Sequence, residues 1–217
     1  MIVAASSARR PWYALALALA GALIVVTSAA VARSGTVGPA ERAVFEAVNG
    51  LPDFLRWPMW ILQLMGLIGL PALLALVALA FRRYRLTLAL LLAIPLKLFA
   101  AEAMIKAIVH RNRPGRTEDH PILRGVPEAG ASFPSGHAIV AFAIAVLLTP
   151  YLSRRWIPVV WLLAIGNSVA RVYLGAHNPL DVVCGAGAGL VLGGVLTFVI
   201  GVPHRARIAE PEREPSA

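Results

Sequence analysis

Three short polar clusters interrupt an apolar chain, and each holds residue types that could do chemistry. The first is KAIVHRNRPGR, in which Lys106, Arg111, Arg113 and Arg116 all carry positive charge. Charges beside an apolar segment are functional candidates by default, although a single Lys or Arg can also extend to the lipid headgroups. Four cations in one stretch therefore favour an anion-binding loop. Pro114 disfavours helix at Arg113, so we expect the preceding helix to end near that residue.

The second cluster is SFPSGHAIV, a turn that opens directly into an apolar run. Ser135 fits a helix N-cap, which places Gly136 and His137 in the first helical turn. The free N–H groups and the dipole of such a turn favour an anion, and a glycine lets a ligand approach the backbone closely. Taken alone, this pattern fits a structural histidine at a helix start equally well.

The third cluster is ARVYLGAHNPLD, which combines a histidine, a carboxylate and an arginine. Asn178 fits an N-cap and Pro179 the first helical residue, so His177 lies just outside the helix and Asp181 in its first turn. A carboxylate that reaches back to hold one imidazole nitrogen leaves the other nitrogen free to attack or accept. Arg171 adds a cation. The alternative is that Asp181 only complements the helix dipole.

The elements that must position these clusters are long apolar runs. The chain is 59% hydrophobic and 14% charged, whereas soluble domains carry about 25% charged residues. A membrane span needs roughly 20 apolar residues. Six candidate spans follow: Trp12–Val31, Trp57–Phe81, Leu86–Val109, Ala138–Leu152, Trp156–Leu174 and Leu180–Val202. Because backbone groups in lipid must pair within helices, we predict an all-α, polytopic bundle of six transmembrane helices over residues 1–203, followed by a charged, disordered cytoplasmic tail over 204–217.

Two features near the first span refine this picture. Between the first two spans, PAERAVFEAVN predicts a short helix, and its stripe of Val44, Phe45 and Val48 predicts that this helix lies in the membrane interface. The first span could instead be a cleaved signal peptide. Arg9 and Arg10 precede it, and the sequence AVAR at its end resembles a small-residue cleavage site. The apolar run is long for a signal peptide, so we expect it to be retained.

Charge distribution predicts the orientation in a cell membrane. In a six-span arrangement all three polar clusters lie on one side, and the paired arginines at span ends lie mostly on the other. Arginines near span ends favour the cytoplasm, so we expect cytoplasmic termini and an extracytoplasmic polar loop. The same arginines account for the net charge of +9 without a nucleic-acid partner. The only cysteine, Cys184, excludes an intramolecular disulfide and indicates a packing role.

Convergence of the three clusters would create a site for a phosphoryl group. Cations and helix amides could hold the equatorial oxygens of the transition state. One histidine could attack phosphorus while the other protonates the leaving oxygen. No carboxylate cluster indicates a metal site, so we expect neither a metal nor another cofactor.

These residues resemble a known three-part signature. Lys106-x6-Arg113-Pro114, Pro134-Ser135-Gly136-His137 and Arg171-x5-His177-x3-Asp181 look like the motifs of the type 2 phosphatidic acid phosphatase (PAP2) superfamily. Each part is weak alone, but all three in order are specific. The resemblance covers residues 106–181 directly and implies a six-helix membrane phosphatase. One departure is Ala170, where the family usually has a serine.

The resemblance implies a role for each matching residue. His177 would be the nucleophile that forms a phosphohistidine, Asp181 would orient it, and His137 would be the general acid. Phosphate would be bound by Lys106, Arg113, Ser135, Gly136 and Arg171. The family needs no metal.

The substrate expected from this resemblance is a lipid phosphate, taken from the surrounding membrane lipids. A polyprenyl phosphate or diphosphate fits a small member of the family best. The alternatives are phosphatidylglycerophosphate or phosphatidic acid, a small sugar phosphate, or a non-catalytic protein that binds or transports anionic lipids. Further loop residues could contact a second phosphate or a sugar, or could be solvated charges: His110, Arg111, Arg116, His120 and Arg124.

Glu102 lies one turn from Lys106 and is expected to pair with it. The oligomeric state is left open.

Overall fold

Over residues 10–202, which the computed structural model describes, all regular elements are helices. This confirms the predicted all-α class, whereas the predicted tail at 204–217 and the Arg9 that precedes the first span lie outside the described residues. In chain order the helices are α1 (Trp12–Ala32), α2 (Pro39–Asn49), α3 (Arg56–Gln63), α4 (Leu70–Ala80), α5 (Tyr84–Pro95), α6 (Ala103–Ile108), α7 (Pro114–Thr117), α8 (Gly136–Leu148), α9 (Ile157–Tyr173) and α10 (Pro179–Ile200).

Three of the described helical segments are long and apolar enough to cross a membrane: α1, the continuous run Tyr84–Ile108, and α10. The second predicted span is broken, because Asp53–Gly66 and Leu70–Ala80 pass the same criteria only as a pair bent by 65°. Glycines and a proline in the stretch GLIGLP account for the break. With that pair counted as one span, the described part of the chain has four candidates.

The fourth and fifth predicted spans are short helices in the structure. They correspond to Gly136–Tyr151 and Ile157–Tyr173. The second of these has 17 residues and is about 25 Å long at 1.5 Å per residue, which is less than the ~30 Å hydrocarbon core of a typical bilayer.

The centre of the bundle is α10, which packs closely against both α1 and α8 because small residues face its neighbours. A Cβ atom placed on Gly187 would lie 2.8 Å from the backbone oxygen of Gly21 on α1. On another face, a Cβ atom on Gly185 would lie 2.5 Å from the backbone oxygen of Ser135, just before α8. Such close backbone approach is how helices associate in membranes, where hydrophobic burial gives little driving force. The packing brings the N-termini of α8 and α10 together at one end of the molecule.

The third span is continuous but locally widened. α5 runs through a π-helical segment, Leu96–Glu102, into α6. The π-helical repeat aligns residues five apart, and this brings Lys97 beside Glu102. The helix ends at Ile108, earlier than the position near Arg113 that the proline suggested, because Val109 is already extended. Arg113 instead occupies the position just before α7.

The predicted short helix is present as α2, and Phe45 and Val48 of its apolar stripe pack on the bundle, whereas Val44 is half-exposed. Pro39 occupies the first turn and Gly38 the N-cap position, as expected for a helix start. Phe45 is buried in a cluster with Ala138, Val172 and Val182. This packing fixes α2 over the end of the bundle where α8 and α10 begin.

Arg124 connects the polar loop to the end of the bundle where α8 and α10 begin. Its guanidinium donates to the backbone oxygens of Asn49, at 2.9 Å, and Tyr173, at 2.7 Å, and pairs with Asp53 at 3.0 Å. It also stacks 4.0 Å from the centre of the Tyr173 ring. Arg124 is therefore neither a solvated loop charge nor free to contact a substrate, because its donors are used to join the loop to α2 and α9.

Candidate active site

The N-terminus of α10 orients the carboxylate predicted in the third cluster. Asn178 is the N-cap residue of the helix, and Asp181 lies at its third position. In that arrangement the backbone N–H of Asn178 donates to Asp181 Oδ2 at 2.8 Å. The carboxylate therefore points back towards the residue before the cap, which is His177. This local capping contact contributes to the orientation of the carboxylate.

His177 is buried, and one of its ring nitrogens is engaged. Nδ1 lies 3.2 Å from the hydroxyl of Ser132 and 3.5 Å from Asp181 Oδ2. The Ser132 hydroxyl itself donates to Asp181 Oδ2. The carboxylate thus holds the imidazole largely through a serine that the sequence reasoning did not identify. With Nδ1 occupied, Nε2 is the nitrogen available for attack.

Burial lowers the pKa of His177 below its ordinary value of 6.5, and the hydrogen bond and charge of Asp181 oppose this change only in part. The positive charges of Arg171 and Arg113 lower the pKa further. The imidazole is therefore neutral at neutral pH, which is the form that a nucleophile requires.

Arg111 supports the same carboxylate from the other side. Its side chain is fully buried, and its Nη1 donates to Asp181 Oδ1 at 3.3 Å. It also forms two contacts with Glu41 on α2, at 2.9 and 2.5 Å. Burial would lower the pKa of Arg111, but the pairs with Glu41 and Asp181 outweigh it and raise the pKa. Arg111 is thus committed to carboxylates and does not serve as a loop cation for a second phosphate.

The N-terminus of α8 forms the opposite wall. Ser135 is the N-cap, and its hydroxyl accepts from the backbone N–H of Ala138 at 3.5 Å. A Cβ atom on Gly136 would lie 2.8 Å from Glu102 Oε2 and 2.9 Å from Lys97 Nζ. A carboxylate and an ammonium group therefore rest directly on the first turn of this helix, where an anion is favoured.

The predicted cations have partners within the protein. Lys106 contacts Glu102 at 2.5 Å, as the one-turn spacing predicted, and Glu102 also pairs with Lys97. Arg113 donates to the backbone oxygen of Ala176 at 2.8 Å, and Arg171 donates to Gln63 on α3. Both arginines keep further guanidinium N–H groups with which they could hold phosphate oxygens.

Electrostatic contacts join the three motifs into one site. The ring of His137 lies within electrostatic range of Arg171, Lys97 and Glu102 and of the His177 ring. These groups come from the second half of the π-widened helix, from α9 and from the loop before α10. The break between α3 and α4 closes over the same histidine, because a Cβ atom on Gly66 would lie 2.5 Å from the Cβ of His137.

Other predicted loop residues do not join this cluster. His110, Arg116 and His120 are exposed. Arg116 lies 3.9 Å from Glu128, a pair that is itself well exposed. Between residues 10 and 202, no group of His, Cys, Asp and Glu residues is arranged to hold a metal ion.

A known protein family matches the part of the chain that contains these motifs. The family model of the PAP2 superfamily matches residues 85–202, which contain all three clusters. The chain belongs to the PAP2 superfamily. The match begins at the start of the π-widened helix and ends with α10, so it includes every candidate site residue except the supporting side chains of Glu41 and Gln63.

Relatives of this PAP2 protein are named as phosphatases. The chain is 33% identical over 135 residues to the lipid A 4'-phosphatase of Bacteroides thetaiotaomicron, covering 58% of this chain and 60% of that one. It is 33% identical over 110 residues to decaprenylphosphoryl-5-phosphoribose phosphatase of Mycobacterium tuberculosis, covering 50% and 58%. The chain therefore spans less than two thirds of the length of these relatives.

The fold of this PAP2 protein is shared with a solved structure. The PAP2-type phosphatidylglycerolphosphate phosphatase of Bacillus subtilis superposes with a TM-score of 0.67 at 22% identity, over 83% of this chain and 94% of that one. At this level of identity the likeness concerns the fold alone. Ala170, the departure from the usual motif, is completely buried in α9 beside Arg171.

Proposed function

We propose that this chain is a membrane-embedded lipid phosphate phosphatase that works through a phosphohistidine intermediate. The observation that carries the proposal is the environment of His177: a buried, neutral imidazole whose Nδ1 faces Ser132 and Asp181, close to the charges of Arg113 and Arg171. A site that only binds an anion does not need an oriented, uncharged nucleophile.

In the first step, His177 Nε2 attacks phosphorus and the bond to the leaving oxygen breaks. The negative charge of the bound phosphate favours the protonated form of His137, which donates this proton to that oxygen as general acid. Arg113, Arg171 and Lys106, with the first amides of α8, hold the equatorial oxygens as their charge spreads in the transition state. The phosphorylated imidazole becomes cationic, and Asp181 stabilises it across Nδ1.

In the second step, water attacks the phosphohistidine. His137, now neutral, accepts the proton of that water, and the bond between phosphorus and Nε2 breaks. His177 returns to the neutral imidazole and inorganic phosphate leaves. Each proton that His137 gives in the first step is thus regained in the second.

A lipid substrate is supported by an apolar groove next to the site. The groove lies between α2, α8, α9 and α10, has a volume of about 290 Å³, and includes Val48, Pro179 and Ala186 in its walls. Pro179 is two residues from His177, so a phosphate at the histidine and a hydrocarbon chain in the groove could belong to one molecule. The Mycobacterium relative is named for a decaprenyl-linked phosphate, which favours a polyprenyl phosphate or diphosphate.

The orientation proposed for the bundle is six membrane-crossing helical units, with the site on the outer face and the termini in the cytoplasm. Arg85 lies at one end of the run Tyr84–Ile108 and Lys106 near the other. The arginines of the α4–α5 turn, and those before α9, are therefore at the end of the bundle opposite the site. Under the rule that basic residues stay inside, the site faces outward, and α2 covers it at the interface.

The test is phosphate release from a panel of lipid phosphates by purified protein in detergent, with chelator present. We expect the wild type to hydrolyse at least one of them and His177→Ala to release none. His120→Ala is the matched control, because it removes an exposed histidine outside the site, and it should retain wild-type turnover. Equal turnover by wild type and His177→Ala would refute the mechanism. Binding without turnover by the wild type would favour a lipid-binding or transport protein.

The chain groove is tested by substrate length. Ala186→Trp fills the groove without touching the phosphate site. We expect kcat/KM for a long-chain lipid phosphate to fall, while hydrolysis of a short-chain or water-soluble phosphate is unchanged. An equal loss for both substrates would contradict the assignment of the groove.

A further inference from the structure

A buried ion pair connects the short helix α2 with the carboxylate that faces His177. Glu41 contacts both terminal nitrogens of Arg111, and the side chains are only 8% and 0% exposed. The second Arg111 nitrogen also donates to the backbone oxygen of Thr36 at 3.2 Å. The first reaches Asp181 Oδ1 at 3.3 Å. The three charged groups thus form a continuous row that ends at the imidazole.

The net charge of this row determines how much negative charge lies beside His177. Arg111 by itself would neutralise Asp181 and leave the imidazole with little net negative charge beside it. Glu41 neutralises Arg111 in turn, so the three groups together carry one negative charge. Because they are buried, that charge acts in a medium of low dielectric constant, where interactions are stronger than in water.

We propose that Glu41 and Arg111 are positioning residues that aim Asp181 at His177 and preserve a net negative charge behind it during phosphoryl transfer. This inference rests on the proposed function. When Nε2 bonds to phosphorus, the ring of His177 becomes cationic, and the row stabilises that cation. Arg111 supplies orientation through its planar, two-sided geometry, and Glu41 supplies the charge that offsets the guanidinium.

The other charged groups around His177 make this balance necessary. Arg113 from the loop and Arg171 from α9 face the ring, and both oppose its positive form. His137 from α8 also lies within electrostatic range. Among these groups, Asp181 is the anion beside the imidazole. Any weakening of its negative charge raises the barrier to formation of the phosphohistidine.

A purely structural role for Glu41 has different consequences. Glu41 Oε1 also accepts the backbone N–H of Leu180 at 2.9 Å, so the side chain fastens α2 to the start of α10. A glutamine retains this acceptor and nearly the same shape but removes the charge. Glu41→Gln therefore separates the electrostatic role from the mechanical one.

The experiment measures kcat, KM and their pH profiles for full-length protein in detergent with a hydrolysed lipid phosphate. For Glu41→Gln we expect kcat to fall roughly 10- to 100-fold, by analogy with supporting partners of functional histidines. KM should be nearly unchanged, because the phosphate ligands are intact. The control is Glu46→Gln, the same charge change at an exposed site on the same helix, and it should behave as wild type.

The double variant Glu41→Gln/Arg111→Gln distinguishes charge from packing. It removes both charges of the pair and leaves Asp181 with its own negative charge, so we expect its kcat to lie between those of wild type and Glu41→Gln. Partial recovery of this kind shows that the two residues act together. If Glu41→Gln does not fold, the double variant decides: a kcat below wild type supports the proposal, and a wild-type kcat and pH profile overturn it.

Wild-type kcat in folded Glu41→Gln, or a further loss in the double variant, would also overturn the inference. These outcomes leave the proposed function standing as long as His177→Ala is inactive. If the wild-type protein itself releases no phosphate from any lipid, the proposed function fails instead.

Discussion

Glu102 occupies the place where we expect a substrate phosphate, and neutralising it should tighten the binding of phosphate analogues. Its carboxylate contacts Lys106 at 2.5 Å and also pairs with Lys97. The same carboxylate lies against the first turn of α8, as the 2.8 Å approach to a Cβ on Gly136 shows. An incoming phosphate must therefore compete with Glu102 for the cations and for the helix N-terminus.

The magnitude follows from the charges involved. With Glu102 ionised, Lys97, Glu102 and Lys106 carry a net charge of +1, and Glu102→Gln raises it to +2. Two unit charges about 5 Å apart interact by ~3 kcal/mol at an effective dielectric constant of about 20. The Lys106 side chain is 32% exposed, so solvent screening reduces the gain to about 1–2 kcal/mol. This corresponds to roughly 5- to 30-fold tighter binding.

The assay is inhibition by vanadate, which mimics the transition state of phosphoryl transfer. The inhibition constant is measured for wild type and Glu102→Gln at one pH and ionic strength, with thermal unfolding as a check that the variant is folded. Glu128→Gln is the matched control, because it makes the same charge change at a side chain that is 62% exposed. Its inhibition constant for vanadate should equal that of the wild type.

An inhibition constant that is unchanged or higher in folded Glu102→Gln would refute the reasoning. It would mean that the carboxylate does not compete with the phosphate. If the variant does not fold because Lys97 loses its charged partner, Lys97→Met/Glu102→Gln keeps Lys106 as an unopposed cation. Vanadate binding to this double variant should still be at least as tight as binding to wild type.

Further expectations follow from the remaining contacts of the site. Ser132→Ala removes the hydroxyl between His177 and Asp181, so kcat should fall roughly 10- to 100-fold with little change in KM; a wild-type kcat would contradict the bridging role. Gly136→Ala places a methyl group within 2.9 Å of Lys97 Nζ, so kcat/KM should fall at least about tenfold, and wild-type kinetics would show that the phosphate does not approach this turn. Because the pKa of His177 is lowered in the folded state, the unfolded chain binds its proton first as pH falls below 6.5. Stability should therefore decline as pH falls from 6.5 towards the folded pKa, and His177→Asn should flatten the decline in a thermal-unfolding series; equal slopes would count against the buried, neutral imidazole.

Capping and spacing were readable from the sequence because they act over one or two helical turns. Asn178 and Pro179 start α10, and Ser135 starts α8, as their residue types predict. Asp181 returns towards His177 in part because its carboxylate accepts the backbone N–H of Asn178 at the start of the helix. The pairing of Glu102 with Lys106 follows from their one-turn separation. Composition and the long apolar runs were likewise enough to predict an all-helical membrane protein.

Contacts between distant parts of the chain decided the rest. Three contacts form only after the loops and helices have packed: Ser132 with His177, Glu41 with Arg111, and Gln63 with Arg171. No local pattern marks them, since a serine in a polar loop or a glutamate on a short surface helix is usually solvated. The sequence left Arg111 and Arg124 as loop cations that either contact a phosphate or are solvated, yet both are buried. A buried charge must find its partner wherever the fold provides one, and the sequence alone does not show which side chains will be buried together.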